Sequence, residues 1–388
     1  MSDVLLSECR KYETGDVRKA VARSFEFLES QGALPARGAT VVLKPNLLSS
    51  MHAPDRMVNT HPSVIEAVAG VLIADLGCKV LIGDSCCNLT PRATRKAMEI
   101  MGYPGIAERT GAEMCNFDEV QPVEVEVAGF DQLQSVLLPK PLREADYILN
   151  LPKLKTHGLT FYTGAVKNTL GCVPGERKKR IHVVSAKASL LCRALVDVFS
   201  VVKPNASIMD AVTGMEGNGP SGGSPRDIGM IAAATDAVAM DAVGADLIGY
   251  GPRDITTTIN AAERGLGTAD LKRIEIKGDP PDAFRVRDFR KPLSYHAPFA
   301  LDWMPHWMSN TVVRWIFEMN ASIDMGKCKR CELCLKNCPV NAISVEGEAM
   351  VVDEDKCIAC FCCEEVCPHK AIRVSRKGFG RYLPLKRF

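Results

Sequence analysis

Residues 328–368 read CKRCELCLKNCPVNAISVEGEAMVVDEDKCIACFCCEEVCP. The form C-x2-C-x2-C-x3-C-P occurs in it twice, first as Cys328, Cys331, Cys334, Cys338 and Pro339, then as Cys357, Cys360, Cys363, Cys367 and Pro368. Two-residue spacers let a tight loop turn three thiolates toward one face of a cubane, while the fourth cysteine, on the following turn, reaches a second one. The runs therefore predict two [4Fe–4S] clusters with crossed ligation. Cys328, Cys331, Cys334 and Cys367 hold one, and Cys357, Cys360, Cys363 and Cys338 hold the other. Ala-Ile-x-Val follows each proline, at Ala342-Ile343 with Val345 and at Ala371-Ile372 with Val374, which marks an internal duplication. Alternation from Ala342 to Asp353 around Glu346-Gly347-Glu348 predicts a short hairpin over the clusters. Pairs of C-x2-C also bind zinc, but a four-cysteine run closed by proline and then repeated is an iron–sulfur pattern. Cys362, beside Cys363, would break the spacing of the first run and reads as a small filler.

These residues resemble the two-cluster bacterial ferredoxins over about positions 322–376, which implies a small α+β ferredoxin-like domain there. Outward from it, the chain has 388 residues, enough for two or three domains. Nine of its sixteen cysteines fall in the last 61 residues, so they read as ligands rather than as staples of a secreted domain. At 24% charged and 46% apolar residues the composition is that of a globular protein, neither disordered nor fibrous. A net charge of +2 gives no general reason to expect nucleic acid or an acidic membrane as partner. The N-terminal MSDVLLSECRKYETGD reaches charge before any long apolar run, and no apolar stretch of about 20 residues occurs. A transmembrane segment is not expected, and a reducing cytoplasm is the expected location.

Before residue 290, short apolar runs alternate with helical periods. Ala39–Leu43, Lys79–Ile82, Tyr147–Leu149, Ser207–Met209 and Ile228–Ala233 read as buried strands, and Pro62–Leu76, Pro91–Met101, Val184–Val201 and Asp236–Ile248 as helices. The pattern predicts an α/β domain over 1–290, a mostly parallel sheet flanked by helices, with chemistry at the strand C-termini. Polar groups stand at those ends: Lys44-Pro45-Asn46, Gly83-Asp84-Ser85, Asn150 through Gly158, and Asp210. Here the motifs KPN, HPSVIEAV, GDS, LNLPKLKTHGLTFYTGAVKNTLG and MDAVTGMEGNGPSGG resemble the family called domain of unknown function 362, over roughly residues 38–270. The resemblance implies an α/β domain often joined to ferredoxin-like clusters and names no reaction.

Lys153, Lys155, His157, Lys167 and Asn168 place cations and neutral donors in one segment, with Lys44 and Asn46 at a neighbouring strand end. Such a group attracts carboxylate or phosphate. A solvated basic loop is the plainer reading, but Gly158, Gly164 and Gly171 permit close backbone approach, and Lys153 and Lys155 directly follow a buried strand. A small anionic ligand is therefore expected, with Lys155 or His157 as a proton donor. Gly217 and Gly219 belong to a literal G-x-G-x-x-G in Gly214–Gly223, but Pro220 interrupts it and no helix follows. It reads as a glycine-rich loop over a site rather than a dinucleotide fingerprint. No P-loop motif occurs. Cys86, Cys87 and Cys172 read as packed thiols.

Residues 291–321, with Trp303, Trp307 and Trp315, read as an interdomain connector, 322–376 as the ferredoxin-like domain and 377–388 as a basic tail. Together these readings predict an iron–sulfur oxidoreductase. An external low-potential donor or acceptor exchanges electrons with two [4Fe–4S] clusters, and an anionic substrate or cofactor sits on the α/β domain. Whether a further cofactor such as a flavin is bound is not legible. The alternative is a non-catalytic electron carrier or maturation scaffold that docks a partner protein; a deep polar pocket facing a cluster favours the enzyme and a flat surface the carrier.

Overall fold

The computed structural model describes residues 1–49, 52–87, 90–184, 188–296, 319–360 and 362–376. The Trp-rich connector from 297 to 318 and the basic tail from 377 to 388 lie outside the described residues.

The larger domain is built on one sheet. Its strands are β1 (Ser2–Glu8), β2 (Thr40–Pro45), β3 (Lys79–Asp84) and β4 (Glu113–Asn116), followed, after a separate hairpin of β5 (Pro122–Glu126) and β6 (Ser135–Pro139), by β7 (Tyr147–Leu151), β8 (Lys153–His157), β9 (Phe161–Thr163), β10 (Ala206–Glu216), β11 (Ser224–Ala234) and β12 (Ile274–Gly278). The order is β12-β1-β11-β10-β7-β2-β3-β4, with β8 pairing β10 and β9. The run β10-β7-β2-β3-β4 is parallel throughout, as are β1/β12 and β8/β10; antiparallel pairing is confined to β11 and its neighbours and to β8/β9. The sheet is thus mostly parallel, as the alternating pattern implies.

Both faces of the sheet are covered, which is why its strands read as nearly continuous apolar runs. Val41 and Leu43 enter the core on one face with Leu5, Val64, Ile65 and Val68. Val42 points the other way, to Phe117, Leu138 and Leu195, and Val4 and Leu6 to a third cluster with Met209, Val238 and Met240. Helix Pro91–Ile100 is capped by Thr90, whose side chain accepts the Ala93 N–H at 3.2 Å, with proline at its start. Asp236 caps helix Ala237–Leu247 by accepting the Val238 and Ala239 N–H groups, each at 2.9 Å. Among the described residues no helix is long and apolar enough to cross a membrane.

The chain runs β2, β3, β4 outward on one side of β2 and then returns to lay β7 on its other side. Such a reversal opens a crevice beyond the strand C-termini. Lys44 and Pro45 end β2, Asp84 ends β3, and Asn150 and Leu151 end β7, so the polar groups noted in the sequence converge at that reversal.

The ferredoxin-like segment has a hairpin, β14 (Ile343–Glu346) with β15 (Ala349–Val352), turning through Gly347 at φ +58°. A second pair, β13 (Met319–Ile323) with β16 (Ile372–Arg376), joins its ends. Short helices Leu333–Asn337 and Cys362–Val366 follow the two C-x2-C turns. The duplication extends to the backbone: Arg330 and Ala359, each two residues after the first cysteine of its run, have φ of +54° and +52°, and Asn341 and Lys370, each three after the fourth, +52° and +50°. Left-handed backbone costs a non-glycine residue free energy, so the repeat preserves a loop shape rather than only a spacing.

Candidate functional site

The eight cysteines of the two runs form no disulfide among the described residues. Cys328, Cys331, Cys334 and Cys367 line one cavity, and Cys334 is pushed up to about 11 by burial and then by the charges of Cys367, Cys331 and Cys328. Cys363 is held well above the ordinary thiol range by burial first, then by Cys360, Cys357, Cys334 and Cys338. Cys328, Cys331, Cys334 and Cys367 thus lie together, and Cys363 is close to Cys338, Cys357 and Cys360 as well as to Cys334. Backbone N–H groups already aim at the sulfurs: Ala342 to Cys338 at 3.2 Å, Ala371 to Cys367 at 3.4 Å and Arg330 to Cys328 at 3.4 Å. Four thiols around a cavity, with amide donors to the sulfurs, fit a cubane cluster.

A cleft opens at the sheet reversal. The strand ends supply Lys44, Asn46, Asp84, Ser85, Lys155 and Thr163, and the segment after β9 supplies Lys167 and Asn168. Its other wall comes from the ferredoxin-like segment, through Asn337, Cys362, Glu365 and Val366. Asn337 precedes Cys338 and Cys362 precedes Cys363, so the cleft abuts the set Cys338, Cys357, Cys360 and Cys363. About 80 Å³ is open to the centres of water-sized molecules, room for a few waters or a small anion.

The cations of this cleft differ in what they have left to give. Lys44 donates to Asp84 at 2.7 Å and to the Pro45 carbonyl at 2.6 Å, both side chains 1% exposed. Asp84 also accepts from the Leu47 and Ser85 N–H groups, yet burial raises it to about 6 against the pull of Lys44 and Lys178. Gly171 makes room for the pair: a Cβ there would press into Asp84 Oδ1 and Lys44 Nζ. Lys155, 1% exposed, donates to Asn46 Oδ1 at 2.7 Å and to the Val58 carbonyl at 2.8 Å. Among the described residues no carboxylate is bonded to it, and burial, then Lys167, lower it to about 7 against the pull of Glu365. An ammonium has three donors, so one remains. Lys167 is half-buried, makes no hydrogen bond among the described residues, and is lowered by burial against the attraction of Glu365. Thr163, buried on the same wall, has a hydroxyl with no partner among the described residues.

The asparagines are committed. Asn168 donates to Asn150 Oδ1 at 2.7 Å and accepts from Asn46 Nδ2 at 2.8 Å, so the chain Asn150–Asn168–Asn46–Lys155 holds the lysine in place. His157 is committed too. Its Nδ1 accepts the Leu159 and Thr160 N–H groups at 3.0 and 3.3 Å, which places the ring proton on Nε2, 3.1 Å from Glu365 Oε1. Burial lowers it to about 4, followed by Lys167, so it is neutral and bridges the two segments as a donor to Glu365.

Three candidates lie away from the cleft. Lys153, with no exposed surface, donates to Asp210 at 2.8 Å and Tyr12 at 2.6 Å, and Tyr12 stacks on His61 at 3.7 Å. It parts from Lys155 because β10 advances from Asp210 to Met215 while β8 advances only two residues. Gly217 and Gly219 sit in the β10–β11 connection, with no helix following; Gly219 packs on Thr156, and only Pro220 of that loop reaches the cleft. Sequence reasoning missed Glu365, Thr163 and Lys178, which donates to Ser85 Oγ at 2.8 Å and to the Ser85 carbonyl. It also took Cys362 for a filler. For Cys362 the available signal was its place next to Cys363; for Glu365 the sequence offered none. Cys172, raised to about 12 by burial, is the packed thiol expected.

The family model described as a domain of unknown function, DUF362, matches residues 41–246, and a 4Fe-4S dicluster domain matches 327–371. A thylakoid-associated protein of Synechocystis sp. is 33% identical over 277 residues, covering 69% of this chain and 80% of that protein. Two solved structures resemble 60% of the chain loosely. A protein from Thermotoga maritima is 14% identical with a TM-score of 0.36, and the lactate racemase apoprotein from Thermoanaerobacterium thermosaccharolyticum 10% identical with 0.37. The likeness spans 57% and 54% of those two chains, little more than half of each. This chain belongs to the DUF362 family and carries a C-terminal 4Fe–4S ferredoxin domain, an iron–sulfur electron-transfer module.

Proposed function

We propose that this protein is an iron–sulfur oxidoreductase whose ferredoxin domain exchanges electrons with a small anionic substrate or cofactor in the cleft at the sheet reversal. The observation that carries this reading is the cleft itself: two cations, Lys155 and Lys167, with no carboxylate bonded to them among the described residues on one wall, and neighbours of two cluster cysteines on the other. When bound, two [4Fe–4S] clusters would supply one-electron transfer.

The chain's own residues have separable tasks. Lys167 and Thr163 offer an ammonium and a hydroxyl to a carboxylate or phosphate. Lys155, near neutrality and held by Asn46, gives or takes a proton at working pH, a role that neutral His157 does not fill. Lys44 with Asp84 builds the floor. The deep polar pocket beside a cluster set favours an enzyme over a carrier with a flat docking face, and the many thiol ligands suit a reducing compartment such as the cytoplasm.

The test is anion binding by the full-length, anaerobically loaded protein, titrated calorimetrically with inorganic phosphate and with a small dicarboxylate. A charged hydrogen bond contributes about 1.5–3 kcal/mol, so Lys155→Ala and Lys167→Ala each weaken binding roughly ten- to a hundredfold. Unchanged affinity in both variants places the site elsewhere. Loaded protein carries about eight irons and eight labile sulfides; stoichiometric zinc without sulfide overturns the cluster assignment.

A further inference from the structure

Of the eight cysteines in the two runs, Cys331 alone is exposed. It shares its cavity with Cys328, Cys334 and Cys367, and Lys329 and His369 stand on the same wall. The surface around it is cationic. Lys327, Lys329, Arg330 and Lys370 are exposed, and half-buried Arg56 comes in from the α/β domain. Burial, Arg56 and Lys327 together hold the Lys370 ammonium below the ordinary lysine range, so both cations stand near Lys370.

Neighbouring carboxylates offset the group only in part: Glu332 lines the Cys331 cavity, and Asp324 lies close enough to feel the Lys327 charge. Glu348 pairs with Arg330 at 3.2 Å, Glu332 with Lys336 at 3.3 Å and Asp324 with Arg373 at 2.5 Å. Asp55 is exposed beside Arg56. Among the described residues Lys327, Lys329, Lys370 and Arg56 have no ion-pair partner.

We propose that this rim is the docking surface of an acidic one-electron carrier protein, which exchanges its electron at the Cys331 edge. The inference rests on the reading of the ferredoxin domain as the electron route to the cleft, and it names the partner of that route. Electron transfer falls steeply with distance, so a donor protein must seat where a cluster set reaches the surface, and the other set faces inward to the cleft. Opposite charge steers such an encounter, and weak redox complexes use small interfaces that a handful of cations can define. Anionic lipid would be drawn by the same cations. However, no large apolar side chain in 324–331 or 366–371 is exposed for insertion into a bilayer, which favours the protein partner. In the step itself one electron leaves the reduced carrier and enters the loaded domain, and no bond forms or breaks.

The experiment uses full-length, anaerobically loaded protein and a reduced acidic [2Fe–2S] ferredoxin as probe, mixed by stopped flow at several salt concentrations, with binding of the oxidised probe read separately. Wild-type transfer should slow as salt rises. The triple variant Lys327→Glu, Lys329→Glu, Lys370→Glu should be roughly tenfold or more slower at low salt and lose most of the salt dependence. Its reduction by photoreduced deazaflavin should match wild type, which separates a docking loss from a damaged cluster. If the glutamates prevent loading, the corresponding triple glutamine variant should show a smaller change in the same direction. Equal rates and equal probe binding in wild type and variants overturn the proposal. So does binding to phosphatidylglycerol vesicles that the variant loses while probe kinetics stay unchanged. Phosphate titration of the same preparations reads the cleft independently, so failure of the rim and failure of the cleft are told apart.

Discussion

Lys155 carries its ammonium into the protein against the cost of burial, bonded to neutral acceptors only. A lysine so placed keeps its charge only up to about pH 7, where an ordinary lysine keeps it to 10.5. The sign follows: the unfolded chain binds this proton more tightly, so folding is penalised below about pH 7 and the penalty fades as pH rises from there toward 10.5. Anion binding runs the opposite way, because it needs the ammonium. Affinity for a small dicarboxylate already fully ionised at pH 6 should fall as pH rises through about 7, and Lys155→Met should abolish that step; a titration from pH 6 to 9 in which both proteins lose affinity in parallel would contradict it. Lys44 differs because Asp84 pairs it. Asp84→Ala strands a buried cation, a change that costs about 3–5 kcal/mol, and urea unfolding at pH 7 should show a loss of that size. Little of this division was legible. The sequence shows four lysines near strand ends, but which of them has a carboxylate beside it depends on contacts 40 to 57 residues distant, from Lys44 to Asp84 and from Lys153 to Asp210.

At the scale of elements, the cysteine runs were the most legible part, because spacing and loop shape are one constraint: the same left-handed residues recur at the same offsets. The crossed ligation expected from the spacing uses the fourth cysteine of each run, which lies on the turn after the short helix. Cys338→Ser should therefore damage the cluster otherwise held by Cys357, Cys360 and Cys363. Electron paramagnetic resonance of the reduced variant checks this, and loss of the other signal alone would rule it out. Helix Cys362–Val366 has a double task, sending Cys363 to its cluster set and Cys362, Glu365 and Val366 to the cleft. Five residues carry no periodicity from which to read two faces, so this element was invisible beforehand. Strands buried on both faces were found readily, but their direction was not: β10 and β11 are antiparallel although each reads as an apolar run like β2. Helix Thr14–Ser30 was overlooked because exposed charges interrupt Val17, Ala20, Val21 and Leu28.

The whole molecule places a ferredoxin domain across the mouth of an α/β crevice, where strand order reverses at β2. The α/β pattern and the strand-end chemistry were readable, since they rest on local runs. The closure of the cleft was not, since His157–Glu365 and Lys179 to the Lys336 carbonyl join residues 208 and 157 positions apart. Closure also gives the two cluster sets unequal surroundings, one at the cleft and one at the surface beside Cys331. The most direct measurement is electron paramagnetic resonance of reduced, fully loaded protein with and without saturating phosphate, in wild type and Lys167→Ala. An anion in the cleft should perturb only the signal that Cys338→Ser removes, and Lys167→Ala should suppress the perturbation at the same phosphate concentration. A phosphate effect confined to the other signal, or no effect under conditions where calorimetry shows phosphate bound, would contradict the placement of the site between the two domains.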